Sequence, residues 1–187
     1  MQKVSIYASL GFMIVSLFLG ILIGYYLTPE YQGSMYEKNA MNLGPADRNF
    51  DLRYINAMAS HHRGAMLLAE QLAKNTARPE LQSLAQDILK NEPVLIDELY
   101  AWKKEWYNDS RKARDPIIAN LGDADETFDL RFLNAMIAHH EAGIQMTKET
   151  HAKSSRSEIL NNANGVEQFL TNSLQTLKDL RQTWYNI

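Results

Sequence analysis

The chain has 187 residues, 45% of them hydrophobic and 22% charged, which suits one ordinary globular domain plus a further segment. A formal net charge of −3 leaves no basic surface for a phosphate backbone, which argues against a nucleic-acid partner. The sequence contains no cysteine, which excludes disulfides, thiolate metal sites and cysteine catalysis.

The first thirty residues have the composition of a membrane anchor. Residues 4–27 carry no charge, and about 20 apolar residues are enough to span a bilayer. A cleaved signal peptide is the alternative, but no alanine occurs between Ala8 and Ala40 to form a typical cleavage site. Lys3 precedes the span, so the positive-inside rule leaves the amino terminus in the cytoplasm. We therefore expect a single-pass, uncleaved anchor over residues 1–28 in the cytoplasmic (inner) membrane, with an extracytoplasmic, periplasmic carboxy-terminal domain.

Two small residues give this span a potential contact face. Gly20 and Gly24 lie four residues apart, a spacing that permits close approach of two helices and would allow a homodimer. The alternative interpretation is that glycine is simply common in membrane spans.

The rest of the chain is an internal repeat with an offset of 78 residues. Asp51-Leu-Arg-Tyr-Ile-Asn-Ala-Met-Ala-Ser-His-His returns from Asp129 as Asp-Leu-Arg-Phe-Leu-Asn-Ala-Met-Ile-Ala-His-His, with eight of twelve positions identical. The match continues without a gap to Trp106-Tyr-Asn and Trp184-Tyr-Asn. Such a match indicates one duplicated unit. The predicted boundaries are residues 29–46 for a first linker, 47–109 for the first repeat, 110–124 for a second linker and 125–187 for the second repeat.

Each repeat is predicted to form two helices. Apolar positions of the first helix recur at intervals of three and four, the period of one helix face, at Ile55, Met58, His62, Ala65, Ala69 and Leu72. A break at 75–79 follows, where Pro79 suits the first turn of the next helix, and Ser155 to Glu158 reads as a capping box in the second repeat. No stretch alternates with a period of two, so no sheet is expected. Two helix pairs can bury their apolar faces together, which predicts an all-α, ferritin-like four-helix bundle over residues 47–187.

Four of the five histidines form two adjacent pairs at equivalent positions of the repeat, with methionines nearby. The candidate metal ligands are Met58, His61, His62 and Met66 in the first repeat and Met136, His139, His140 and Met146 in the second. Imidazole nitrogen and thioether sulfur are ligands that copper accepts, and sulfur favours the reduced ion. The competing interpretation is structural, because methionine fills cores readily and an interior histidine can simply satisfy a hydrogen bond.

No catalytic site is expected. A di-iron centre in a four-helix bundle needs Glu-x-x-His on two helices, and the sequence contains no Glu-x-x-His. The His-Glu-x-x-His zinc motif, a glycine-rich phosphate loop and a Gly-x-Ser-x-Gly elbow are also absent from the sequence. We therefore expect a protein that is not an enzyme.

The segments from Met58 to Met66 and from Met136 to Met146 resemble the domain-of-unknown-function 305 (DUF305) family. Its hallmark is a methionine, two further residues, two histidines, and then small and apolar residues leading to another methionine. The resemblance covers both repeats and implies a ferritin-like helical fold, export from the cytoplasm and, for some members, copper binding in the periplasm. Family members commonly carry Gln, Glu and Met in each second helix, where this chain has Glu92, Leu95 and Leu99, and Gln168, Ser173 and Leu177.

Together these features predict a membrane-anchored, extracytoplasmic protein that binds or buffers copper at the paired histidines. The alternative is a non-metal structural or interaction module of the cell envelope. In that interpretation the histidine pairs are polar core groups that form hydrogen bonds across the bundle.

Overall fold

The computed structural model describes residues 42–187, and these form four α-helices and no strand. The helices are α1 (Phe50–Asn75), α2 (Pro79–Tyr107), α3 (Phe128–Lys153) and α4 (Ser157–Tyr185). The predicted all-α four-helix bundle is confirmed. The predicted anchor over residues 4–27, with Gly20 and Gly24, lies outside the described residues. No helix of the described part of the chain is long and apolar enough to cross a membrane.

The two hairpin turns contain the same hydrogen bond, from a backbone N–H to a side-chain hydroxyl two residues earlier. Thr76 follows the end of α1, and its Oγ1 accepts a hydrogen bond from the Arg78 backbone N–H at 3.2 Å. Ser154 does the same for the Arg156 N–H at 3.2 Å. The predicted break at 75–79 is therefore confirmed. The predicted capping box is wrong, because Arg156 is the N-cap of α4 and makes no side-chain capping bond.

The first helix of each repeat is the central one. α1 buries twelve residues and α2 only five, because α1 packs against both α2 and α3 while α2 lies on the outside. The same holds for α3 and α4 in the second repeat. Two apolar clusters result, one around Phe128 and Phe132 and one around Phe50 and Tyr54. Each fully buried large side chain contributes about 1.5–3 kcal/mol, so these clusters hold the four helices together.

The equivalence of the two repeats extends to the residues that precede α1 and α3. Asn42-Leu-Gly and Asn120-Leu-Gly are separated by the same 78 residues, and both glycines have positive φ, +77° at Gly44 and +72° at Gly122. Each segment bonds to the opposite repeat: the Leu43 N–H donates to Glu149 at 3.3 Å, and the Leu121 N–H donates to Gln71 at 2.9 Å. Gln71 and Glu149 are themselves equivalent positions. Each repeat therefore bonds to the other through equivalent residues, and the two are related by an approximate twofold axis. We call such paired crossings exchanged contacts.

A second exchanged contact lies at the ends of the bundle. Arg78 pairs with Asp129 at 3.1 Å, and Arg156 pairs with Asp51 at 3.4 Å, so each arginine joins its own repeat to the other. Both guanidinium groups also stack on a tryptophan, with the Cζ atom 4.1 Å from the ring of Trp184 or Trp106. Cation–π contacts of this kind contribute about 0.5–2 kcal/mol each.

Candidate metal centre

The four paired histidines converge where α1 packs against α3. The rings of His61 and His139 are stacked, with their centroids 3.8 Å apart and their planes at 3°. His62 and His140 flank this stack, with ring centroids 6.2 Å from His61 and 6.3 Å from His139 respectively. All four side chains are buried. The structure thus brings the two predicted histidine pairs together into one cluster.

Small residues next to the histidines make room for the stack. A Cβ atom added at Gly143 would lie 2.6 Å from His61 Nε2, closer than real Cβ atoms approach another atom. A Cβ added at Gly64 would lie 3.2 Å from His139 Cε1, which is also tight. The absence of a side chain at Gly143 therefore allows His61 and Leu170 to pack closely against α3, because the same Cβ would also lie 2.4 Å from Leu170 Cδ1.

The outer helices supply polar partners for the two flanking histidines. His62 Nδ1 lies 2.5 Å from a carboxylate oxygen of Glu92 on α2. His140 Nε2 lies 2.9 Å from the hydroxyl of Ser173 on α4. These partners are not equivalent in the repeat, because the position that matches Glu92 is Leu170 and the position that matches Ser173 is Leu95. The two histidine pairs therefore have different surroundings.

Burial keeps two of the imidazoles neutral. Loss of solvent is the largest cause that holds the pKa of His61 well below its usual range, followed by repulsion from His139 and the other two histidines. Burial, and then His139, also lower the pKa of His140 to about 3, although the backbone carbonyl of Met136 works in the opposite direction. Neutral imidazole is the form that ligates a metal, so His61 and His140 are in the ligating form at neutral pH.

Some ring nitrogens in the cluster are buried without a hydrogen-bond partner. They include Nε2 of His61 and Nε2 of His62. Glu92 Oε2 lies 2.5 Å from His62 Nδ1, and the tautomer of His62 with its proton on Nδ1 has its lone pair on Nε2. Buried polar atoms are nearly always satisfied in folded proteins, and each one left unpaired costs about 1–3 kcal/mol. Unpaired imidazole nitrogens of residues that line a cavity fit an ion that accepts nitrogen ligands.

The cluster is reached from two sides. A cavity of about 350 Å³ lies between α2 and α4, with apolar walls that include Leu84, Ile88, Val166 and Leu170 and with all four histidines at its base. A second cavity, of about 400 Å³, lies on the opposite side beneath residues 113–117 and also reaches His61 and His139. The stacked rings therefore separate two cavities.

The family model described as a domain of unknown function (DUF305) matches residues 51–118 and residues 111–181, one match for each repeat. The chain belongs to the DUF305 family. Three solved structures of CopM are similar to this DUF305 chain. The Cu(I)-bound form is 25% identical with a TM-score of 0.65, and the match covers 72% of this chain and 97% of that one. The apo form and the Cu(II)-bound form are also 25% identical, with TM-scores of 0.64 and 0.62, and each match covers 72% of this chain and 98% of that one. No curated protein matches the chain.

The predicted methionines of this DUF305 chain occupy different places. Met136 lines the cavity between α2 and α4, and Met146 lines the second cavity, so each lines a cavity that the histidines also line. Met58 is fully buried in the apolar cluster with Tyr54. Met66 is half-buried and lines neither cavity. Two of the four predicted methionines are thus placed beside the centre.

Two polar residues of the centre were absent from the predicted ligand set. Glu92 and Ser173 both lie on second helices, at positions where the sequence departs from the family pattern. The repeat offset could have identified them, because it aligns Glu92 with Leu170 and shows a carboxylate in only one of two equivalent positions. Within residues 42–187, no three His, Asp or Glu groups are already arranged as a ligand set.

Proposed function

We propose that this DUF305 protein binds copper at its paired histidines and buffers it as the reduced ion. The observation that carries the proposal is the pair of buried, unpartnered nitrogens, His61 Nε2 and His62 Nε2, in a cluster that also reaches an open cavity. A bound ion would offset the cost of leaving these nitrogens unpaired. Copper accepts imidazole, and the nearby thioethers of Met136 and Met146 favour its reduced form.

The similarity to CopM supports the same proposal. CopM has been solved in Cu(I)-bound and Cu(II)-bound forms, and its fold matches this chain over both repeats. Copper is here a cargo that is held and released, so the proposed role is binding rather than catalysis. We also propose that residues 4–27 anchor the bundle to the outer face of the cytoplasmic membrane. A reporter that works only outside the cytoplasm should be active when it is fused after Ile187, and an inactive reporter would contradict this location.

A second candidate function is a structural module without metal. The contacts that favour it are His62 with Glu92 and His140 with Ser173, since each joins the two helices of one hairpin as a core polar group would. This candidate predicts that removing the histidines lowers stability and leaves copper binding unchanged.

Anaerobic titration of the full chain with Cu(I), against a competing chelator, separates the two candidates. Replacing His61, His62, His139 and His140 together by glutamine should weaken Cu(I) binding by at least about tenfold, the smallest loss that a single supporting residue of a metal site usually causes. His151→Gln is the matched control, because this fifth histidine is exposed and pairs with Glu167 outside the cluster. Circular dichroism confirms that each variant is folded. Unchanged Cu(I) affinity in the folded quadruple variant would refute copper binding at these histidines.

A further inference from the structure

The cavity between α2 and α4 has an unusual charge distribution. Eighteen residues line it, and apart from the histidines Glu92 is the one ionisable side chain among them. The remaining lining residues are apolar or carry only amide and hydroxyl groups, such as Asn161, Asn162 and Ser173. Apart from the histidines, the described walls of this cavity therefore offer a single carboxylate.

The carboxylate occurs in the first repeat only. Glu92 is buried and touches His62, and the equivalent position in the second repeat is Leu170, which is also buried. Leu170 lies beside Gly143 and the Nε2 atom of His61, so a side chain at this position reaches the same cluster. Both equivalent positions thus face the histidines, and only one of them carries a carboxylate.

We propose that Glu92 is the residue that sets the charge preference of the centre, making it a site for one singly charged cation held on the His62 side. This inference rests on the proposed function. Glu92 acts as a positioning residue through His62: its Oε2 lies 2.5 Å from His62 Nδ1, and a proton held on that nitrogen directs the Nε2 lone pair to the ion, an arrangement common around metal-bound histidines. One carboxylate balances one positive charge. A doubly charged ion would leave one charge uncompensated among apolar walls, which is unfavourable.

The experiment compares Ag(I), which carries the same charge as Cu(I), with Zn(II) in competition titrations of the full chain. Glu92→Gln keeps the size of the side chain and removes its charge, and it should weaken Ag(I) binding by about 10–100-fold. Ser173→Ala is the matched control, because it removes the neutral partner of His140, and it should cause a much smaller loss. Equal effects of the two substitutions on Ag(I) affinity would overturn the role of Glu92 and leave the proposed function standing.

A gain-of-charge variant tests the same inference without altering Glu92. Leu170→Glu places a second carboxylate at the equivalent position, and it should strengthen Zn(II) binding by at least about tenfold relative to Ag(I), as one added charge a few ångströms away does. A Zn(II)-to-Ag(I) affinity ratio that does not change in the folded variant would overturn the charge argument. Wild-type protein that binds neither Cu(I) nor Ag(I) would overturn the proposed function itself, and this inference with it.

Discussion

At the scale of single residues, Gly143 controls whether the imidazole stack can form. A Cβ at this position would lie 2.4 Å from Leu170 Cδ1 and 2.6 Å from His61 Nε2, so Gly143→Ala forces side chains at the edge of the stack to move. Overpacking of this kind usually costs about 1–3 kcal/mol. We predict a loss of stability of this size in urea denaturation, together with weaker Cu(I) binding.

Gly165 provides the matched control for that substitution. It lies inside α4, and a Cβ added there would meet nothing within 4 Å. Gly165→Ala should therefore stabilise the protein slightly, by about 0.5–1 kcal/mol, because alanine favours a helix over glycine. If Gly143→Ala behaves like Gly165→Ala, the stack does not need the space that the glycine leaves.

The buried histidines also give stability a dependence on pH. In the unfolded chain a histidine has a pKa of about 6.5, whereas burial lowers the pKa of His61 and holds that of His140 at about 3. Below pH 6.5 the unfolded state binds more protons than the folded state. The free energy of unfolding is therefore not reduced by these histidines above about pH 6.5. It decreases as the pH falls towards 3, by up to about 1.4 kcal/mol per pH unit for each histidine.

Urea denaturation of the metal-free protein at pH 7.5, 6 and 5 measures this slope. His140→Gln should make the slope shallower, because one of the two buried bases is removed. His151→Gln should retain the wild-type slope, since His151 is exposed and lies outside the cluster. A wild-type protein with equal stability at all three pH values would contradict the lowered pKa values of His61 and His140.

At the scale of helices, one pair of contacts shows how the two hairpins have diverged. The Tyr54 hydroxyl on α1 donates a hydrogen bond of 2.6 Å to Asn162 on α4. The equivalent residues are Phe132 and Leu84, which pack in an apolar cluster instead. The same place in the fold is thus filled by a polar pair in one case and an apolar pair in the other.

A double-mutant cycle tests that equivalence. Tyr54→Phe alone should lower the free energy of unfolding by about 0.5–1.5 kcal/mol, because it leaves Asn162 without this partner. Adding Asn162→Leu recreates the apolar pair of the other repeat and should restore most of the loss, since replacing both partners by apolar groups is often nearly neutral. Additive losses in thermal denaturation would show that the two sites are not interchangeable.

The helices could be predicted from the sequence because a period of three and four residues follows directly from burial on one face. The break between the two helices at 75–79 could also be predicted, since Pro79 suits the first turn of a helix. The start of α4 was not, because Ser154 rather than Ser155 accepts the backbone bond in the turn. Such a shift by one residue depends on the local path of the backbone, which side-chain pattern alone does not define.

The centre could be predicted only in part for a related reason. Periodicity placed His62 on the apolar face of α1, and the repeat gives His140 the equivalent position on α3. It could not indicate that His61 and His139 stack, because this needs the close approach of α1 and α3 that Gly64 and Gly143 permit. It also could not separate Met136 and Met146, which line the cavities, from Met66, which does not.

At the scale of the whole molecule, the exchanged contacts make each repeat depend on the other. Leu43 bonds to the second repeat and Leu121 to the first, and both arginine–aspartate pairs also cross between repeats. We predict that residues 42–187 unfold in one cooperative transition. Tryptophan fluorescence reports on Trp102 and Trp106 in one repeat and Trp184 in the other. This signal should change at the same urea concentration as circular dichroism, and two separate midpoints would show that the repeats unfold independently.

The approximate twofold axis through the histidine stack also limits what a simpler ancestor could have done. In a symmetric pair of identical single-repeat chains, every residue near the axis occurs twice. A carboxylate at the Glu92 position would then appear on both sides of the stack, and two like charges would share one small cavity. Joining the two copies in one chain removes this restriction, so that one copy can keep the acid while the other carries Leu170. Covalent duplication therefore allows an odd number of charged side chains at the centre, which a symmetric dimer of identical chains cannot have.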